Sequence, residues 1–298
     1  MHNPWRYLNA DIRCVFTNLY DVIFNFVIRN SILAIRFDVV PNPETPRKEV
    51  DLLYWRNWIC VSAQFTRFVF TLPVVVLYPL MMLKSLESEF VRRPIPSTRN
   101  KYPDEKWFFI NGIAGEKEWL EQNCRYLEDR FQTEVTGIFN KSYGLLWDLV
   151  ESILQRSFEI LTISVRLATI NILPALRDKN IKTVRLIAHS QGSIITSVLI
   201  KKLYLELSYT NQQDYLGKLE IYTFSNGSRE FKNPGGLIRY IEHYANSKDP
   251  VAKLGVLNPA LAKNFQGNIF VNQRSGHLFN TYYSLHSSSY APYGSSDV

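Results

Sequence analysis

The chain has 298 residues, of which 46% are hydrophobic, enough for a substantial core in one large domain or in one domain with an appendage. Lys and Arg outnumber Asp and Glu by 34 to 27, a net charge of +7 that suits an anionic membrane surface or nucleic acid. The cations are scattered, however. The pairs Arg47-Lys48, Arg92-Arg93 and Lys201-Lys202 are short enough to be solvated faces, and no basic run carries interleaved aromatics, so nucleic acid is not an expected partner.

Cys14, Cys60 and Cys124 are odd in number and lack CxxC spacing, so neither a disulfide framework nor a zinc site is expected and they read as reduced, mostly buried thiols. The opening "MHNPWRYLNADIRC" has no basic region followed by an apolar stretch and a small-residue cleavage site. The expectation is therefore an intracellular protein without a secretory signal.

In chain order, "DIRCVFTNLYDVIFNFVIRNSILAIRF" places Val15, Leu19 and Ile23 at three-to-four spacing, a helical pattern with a wide apolar face. A proline-rich loop, "VVPNPETPRKEVD", comes next. The following apolar run, Phe68 to Leu83 between Arg67 and Lys84, is 16 residues long. At about 1.5 Å per residue it is shorter than the roughly 30 Å hydrocarbon core of a bilayer. Three readings stand for it: a buried helix or dimer surface, an interfacial anchor, and a span that also uses the residues before Arg67.

Pro94, Pro96 and Pro103 punctuate "VRRPIPSTRNKYPDEK", which cannot continue a helix, and the domain boundary is placed there. Residues 1–100 are expected to form a helical, apolar extension and residues 101–298 a second domain. In that second part apolar strand-like runs alternate with helical ones, the pattern of a parallel sheet covered by helices. "KWFFING", "TEVTGIFN", "TVRLIAH", "LEIYTFSNG", "RYIEHYANSKD" and "NIFVNQRSGH" read as strands; "EKEWLEQNCRYLEDRF", the stretch from Tyr143 to Leu176, and "GSIITSVLIKKLYLEL" read as helices. The expected fold class is α/β in three layers, and the tail "SSSYAPYGSSDV" is expected to be a mobile end.

One stretch breaks the pattern of ordinary strands and helices. In "VRLIAHSQGSIITSVLI" a strand runs into Ser190 and a helix starts at once, the layout of a nucleophile elbow. Gly192 would let the helix approach the strand, while Ala188 occupies the first position of the Gly-x-Ser-x-Gly pattern. A triad in the order Ser, acid, His can be drawn from residues downstream of this elbow. Asp249 lies after a strand and before Pro250, and His277 succeeds another strand with Gly276 to aim it. The bland alternatives are a loop-capping Asp and a surface His. His189 is expected to pack beside the site, His243 to sit inside a strand, and His286, the rival base, to lie at the start of the tail. The turn "FFINGIAG" suits half of an oxyanion hole: Gly112 lets the chain turn so that the Ile113 amide faces the serine, and the amide of Gln191 supplies the second donor.

These residues resemble the α/β-hydrolases, specifically their lipase-like branch: "AHSQG" stands for its Gly-His-Ser-Gln-Gly elbow, with an "NGI" turn, an "NxxDPV"-like acid loop and a "GH" base loop. The resemblance covers about residues 102 to 286. The blocks "NGI", "GIFN" and "SYGLLWDL" are also similar to fungal proteins of that fold. The resemblance implies a cofactor-free serine hydrolase with Ser190 as nucleophile, His277 as base and Asp249 as orienting acid, without a metal. Its expected substrate is a small molecule carrying an ester or thioester of an apolar acyl group, a lipid or a polyketide-like chain. Leu145, Leu146 and Leu149, at helical spacing, are candidates to line the acyl pocket, against the alternative that they are core. An acyltransferase or cyclising enzyme on the same triad, or a binding scaffold without catalysis, are the competing readings. The remaining expected partners, through the N-terminal segment, are a membrane surface or a second copy of the chain.

Overall fold

The apolar runs downstream of the proline-rich join become the strands of one sheet. In a computed structural model of the chain, the described residues are 91–94, 100–113, 115–142 and 145–294, together with Ile59 and Ser62. The segment from Phe68 to Leu83 and nearly all of the expected N-terminal extension lie outside them.

Successive elements are β1 (Val91–Arg92), β2 (Glu105–Ile110), α1 (Lys117–Phe131), β3 (Val135–Ile138), α2 (Leu145–Phe158) and α3 (Ile163–Arg177). They continue with β4 (Thr183–His189), α4 (Gln191–Tyr209), β5 (Leu219–Phe224), β6 (Tyr240–Asn246), α5 (Pro250–Leu254), β7 (Asn268–Asn272), α6 (Phe279–Tyr282) and β8 (Ala291–Pro292). The eight strands are ordered β1-β3-β2-β4-β5-β6-β7-β8. The inner six are parallel, and β1 and β8 close the two edges antiparallel.

Burial on both faces explains why the central strands read as nearly unbroken apolar runs. On one face Phe108, Ile110, Leu186 and Ile221 pack with Ile172 and Leu176 of α3 and Ile195 and Leu199 of α4. On the other, Trp107, Phe109, Ile187 and Phe224 pack with Leu120, Cys124 and Leu127 of α1 and with Phe279 of α6. Full burial of one such side chain contributes about 1.5 to 3 kcal/mol. The Cys124 thiol is free and buried, and burial pushes its pKa well up, so it stays protonated.

Two expectations are corrected at the edges. The sheet begins at Val91, ahead of the boundary placed at residue 101, because Val91 pairs with Ile138 and Arg92 with Gly137. Arg92 is buried and anchors this short strand: its guanidinium pairs with Glu121 and Glu128 of α1 and donates to the Val135 carbonyl at 2.8 Å. At the other end, the tail is part of the sheet up to β8. Val271 pairs with Ala291, and Tyr293 N donates to the Ile269 carbonyl at 2.9 Å. Residues 295–298 lie outside the described part.

Candidate active site

Parallel strands all present their carboxyl ends at one edge of the sheet, and the turns leaving β4, β6 and β7 carry Ser190, Asp249 and His277. Ser190 sits between β4 and α4 with φ 56° and ψ −122°, a left-handed φ that a non-glycine residue adopts only under strain. Such a conformation costs about 1–3 kcal/mol and persists where surrounding packing imposes it. Here the packing is close. A Cβ on Gly192 would stand 2.4 Å from the Ile110 carbonyl oxygen and 2.9 Å from that of Asn111. Only glycine lets the first turn of α4 lie this near the end of β2. Ala188 is buried within β4 in regular pairing with Ile110 and Thr223.

The three side chains meet in a chain of hydrogen bonds. Ser190 Oγ lies 2.9 Å from His277 Nε2, and His277 Nδ1 lies 3.0 Å from each oxygen of Asp249. All three are buried, Ser190 at 2% exposure and Asp249 at 0%. Gly276, at φ 109°, gives the backbone turn that precedes His277. Asp249 is also a helix cap. Its Oδ1 accepts from Val251 N at 2.8 Å and Ala252 N at 3.4 Å, with Pro250 opening α5. The capping alternative and the triad geometry are therefore both present in one side chain.

Burial alone would raise the Asp249 carboxyl. The facing His277 and hydrogen bonds from His277, Tyr283 and Ser225 overcome it and hold the group below the usual carboxylate value. The Tyr283 hydroxyl donates to Oδ2 at 2.6 Å, and the Ser225 hydroxyl lies 3.0 Å from His277 Nδ1. Neither residue was legible as part of a site, since nothing in local spacing marks a loop tyrosine or a strand-end serine as a carboxylate partner.

The other histidines separate as expected. His189 is buried, its Nε2 donates to the His277 carbonyl at 2.7 Å, and burial, with the His277 ring beside it, lowers its pKa to about 3. It braces the loop that carries His277 as a neutral ring. His243 is buried in β6 against Thr223 and the Gln266 carbonyl. His286 is exposed, with its Nδ1 3.2 Å from Arg130 Nη2.

Gly112 lies directly against Ser190, where an added Cβ would stand 2.7 Å from Ser190 Cβ. Gln191 opens α4, so its amide is one of the four that an α-helix leaves without an internal acceptor. Ile113 is half-buried in the turn after β2. Leu149 is half-buried in α2, and the side chains of Leu145 and Leu146 lie outside the described part. A cavity of about 230 Å³ opens on the α1 face among Trp107, Arg185, Tyr222, Tyr244 and Tyr290, and no triad residue lines it. Among the described residues no group of three His, Cys, Asp or Glu is placed to hold a metal ion, and no single helix is long and apolar enough to cross a membrane.

Compared with models of known protein families the chain matches none, and no curated protein matches it significantly.

Proposed function

We propose that the chain is a serine hydrolase of the α/β-hydrolase class that cleaves an ester or thioester of an apolar acyl group. The observation that carries this reading is the strained Ser190 at the strand-helix turn, with its hydroxyl 2.9 Å from His277 Nε2 and Asp249 behind the ring. Burial of all three removes competing water, which strengthens each polar interaction in the chain.

His277 Nε2 takes the Ser190 proton as the hydroxyl oxygen attacks the carbonyl carbon. Asp249 holds Nδ1 protonated, which leaves Nε2 free to accept, and it offsets the charge of the imidazolium that forms. The amides of Ile113 and Gln191 are the donors assigned to the oxyanion. Loss of such a donor typically costs about 2.7–4 kcal/mol of transition-state stabilisation. Collapse of the tetrahedral intermediate sends the His277 proton to the leaving alkoxide or thiolate and leaves an acyl-Ser190. Water activated by the same ring then releases the acid. The apolar acyl class rests on the leucine stripe of α2 read from the sequence.

The same triad serves a second outcome. Where water is kept from the acyl-enzyme, an alcohol acceptor resolves it and an ester is formed. A p-nitrophenyl ester series from acetate to palmitate, run with and without added alcohols, tests both. The hydrolase reading expects free acid as the main product and kcat/KM rising with chain length. Ester as the main product moves the assignment to acyl transfer. No turnover of any ester by folded protein refutes both.

A further inference from the structure

The "GIFN" block ends in an asparagine to which the triad gives no role. Asn140 comes after β3 and is 5% exposed, and every polar atom it has is engaged. Its amide nitrogen donates to Asn111 Oδ1 at 2.7 Å, and its carbonyl accepts from Asn111 Nδ2 at 3.1 Å. Its side-chain Nδ2 donates to Gln191 Oε1 at 2.6 Å, and its Oδ1 accepts from Ser164 Oγ of α3 at 2.9 Å. Asn111 is the residue before Gly112, and Asn111 Nδ2 also donates to the Gly112 carbonyl at 3.0 Å.

This places one side chain between the two segments that carry the assigned oxyanion donors. The Ile113 amide belongs to the turn that Asn111 begins, and the Gln191 amide belongs to the first turn of α4. The two segments come from different elements, so their separation is not set by either alone. The Gln191 side chain is held from the opposite side as well, donating from Nε2 to Gln155 Oε1 at 3.3 Å and Glu151 Oε2 at 3.4 Å of α2. Burying so many polar groups is unfavourable unless each is satisfied, and here they are satisfied at the point where a developing oxyanion would need two fixed donors.

We propose that Asn140 is the positioning residue of the oxyanion hole, tying the turn after β2 to Gln191 so that the Ile113 and Gln191 amides converge. The proposal rests on the serine-hydrolase reading. Asn140 touches no reacting atom, so its effect falls on the transition state and not on ground-state binding.

The test is kinetic, with active sites counted by fluorophosphonate labelling so that rates refer to competent enzyme. Asn140→Ala is expected to lower kcat per labelled site by about tenfold to a hundredfold with KM within about twofold of wild type. Gln191→Met, which keeps the backbone amide and removes the side-chain bond, is expected to do the same. The double variant should be no slower than the worse single one, because both remove one link. Should Asn140→Ala fail to fold, Ser164→Ala, which frees the Asn140 amide group to rotate, is expected to lower kcat by a smaller factor at constant KM. An unchanged kcat per labelled site in the folded variants, a change confined to KM, or additive losses would overturn the proposal. If wild type takes no label at all, the hydrolase reading has failed and this inference falls with it, whereas normal wild-type turnover with unaffected variants removes the inference alone.

Discussion

At the scale of single residues, the central fact is how heavily Asp249 is hydrogen-bonded. Val251 N, Ala252 N, Tyr283 and His277 all converge on one buried carboxylate. Asp249→Asn keeps the volume and the cap but reverses the tautomer preference of His277, and kcat is expected to fall by about 10⁴ while the melting curve stays two-state. Tyr283→Phe removes a donor to a charged, buried acceptor and is expected to cost about 1–3 kcal/mol of stability. Because the folded Asp249 carboxyl titrates below its unfolded value, its stabilisation is complete above about pH 4 and is lost as pH falls through the folded value. Tyr283→Phe weakens that depression, so acid unfolding should start at a higher pH than in wild type, as urea melts across the acid range would show.

Glu151 has the opposite sign. Burial first and then the charge of Asp148 push its carboxyl up to about 7, so the native state holds a proton that the unfolded chain releases near 4.5. Stability attributable to this group therefore falls as pH rises through that interval, by up to about 3 kcal/mol. Glu151→Gln abolishes the ionisation. Thermal melts should show the variant gaining on wild type between pH 5 and pH 8, and parallel curves would contradict the assignment.

At the scale of elements, the turn from β4 to α4 is the feature on which the site depends. Gly192→Ala would push a methyl into the Ile110 and Asn111 carbonyls, so α4 has to withdraw from β2. A stability loss of about 1–3 kcal/mol is expected, with a larger proportional loss of activity because the Gln191 amide moves too. Circular dichroism melts beside ester kinetics would check it. This turn was legible because β4 is a seven-residue strand with an apolar Leu186–Ala188 stretch at its end and a helical period starting at once behind it, and Thr183–His189 matches the strand read from the sequence. The strand read in "TEVTGIFN" contracts to Val135–Ile138, since Phe139 and Asn140 leave the ladder for side-chain contacts. β1 and β8 are two residues each and carry no period at all. Asp249 and His277 could be found from chain order and flanking Pro250 and Gly276. Tyr283, Ser225 and Asn140 could not, since the contacts that define them span 34, 52 and 51 residues.

For the whole molecule, two apolar layers hold a mostly parallel sheet whose carboxyl edge collects Ser190, Asp249 and His277. The fold class was readable because double-sided burial leaves a sequence signature, mostly apolar strands alternating with helices. The edges were not, because an edge strand is fixed by pairing and by ion pairs such as Arg92 with Glu121. The tail belongs to this architecture: Tyr290 stands edge-on to Tyr244 at 4.9 Å between ring centres, and β8 covers the open edge of β7. Ending the chain at His286 should lower Tm by several degrees and promote association through the bared strand, visible in light scattering. An unchanged Tm would show that the tail contributes nothing to the sheet.

The most direct measurement of the central claim is fluorophosphonate labelling and intact mass, on wild type and on Ser190→Ala, His277→Ala and His286→Ala. A hydrolase built on this triad takes one adduct, loses it with Ser190→Ala, loses it or nearly so with His277→Ala, and keeps it with His286→Ala. No adduct on folded wild type, or an adduct that survives Ser190→Ala, would contradict the assignment.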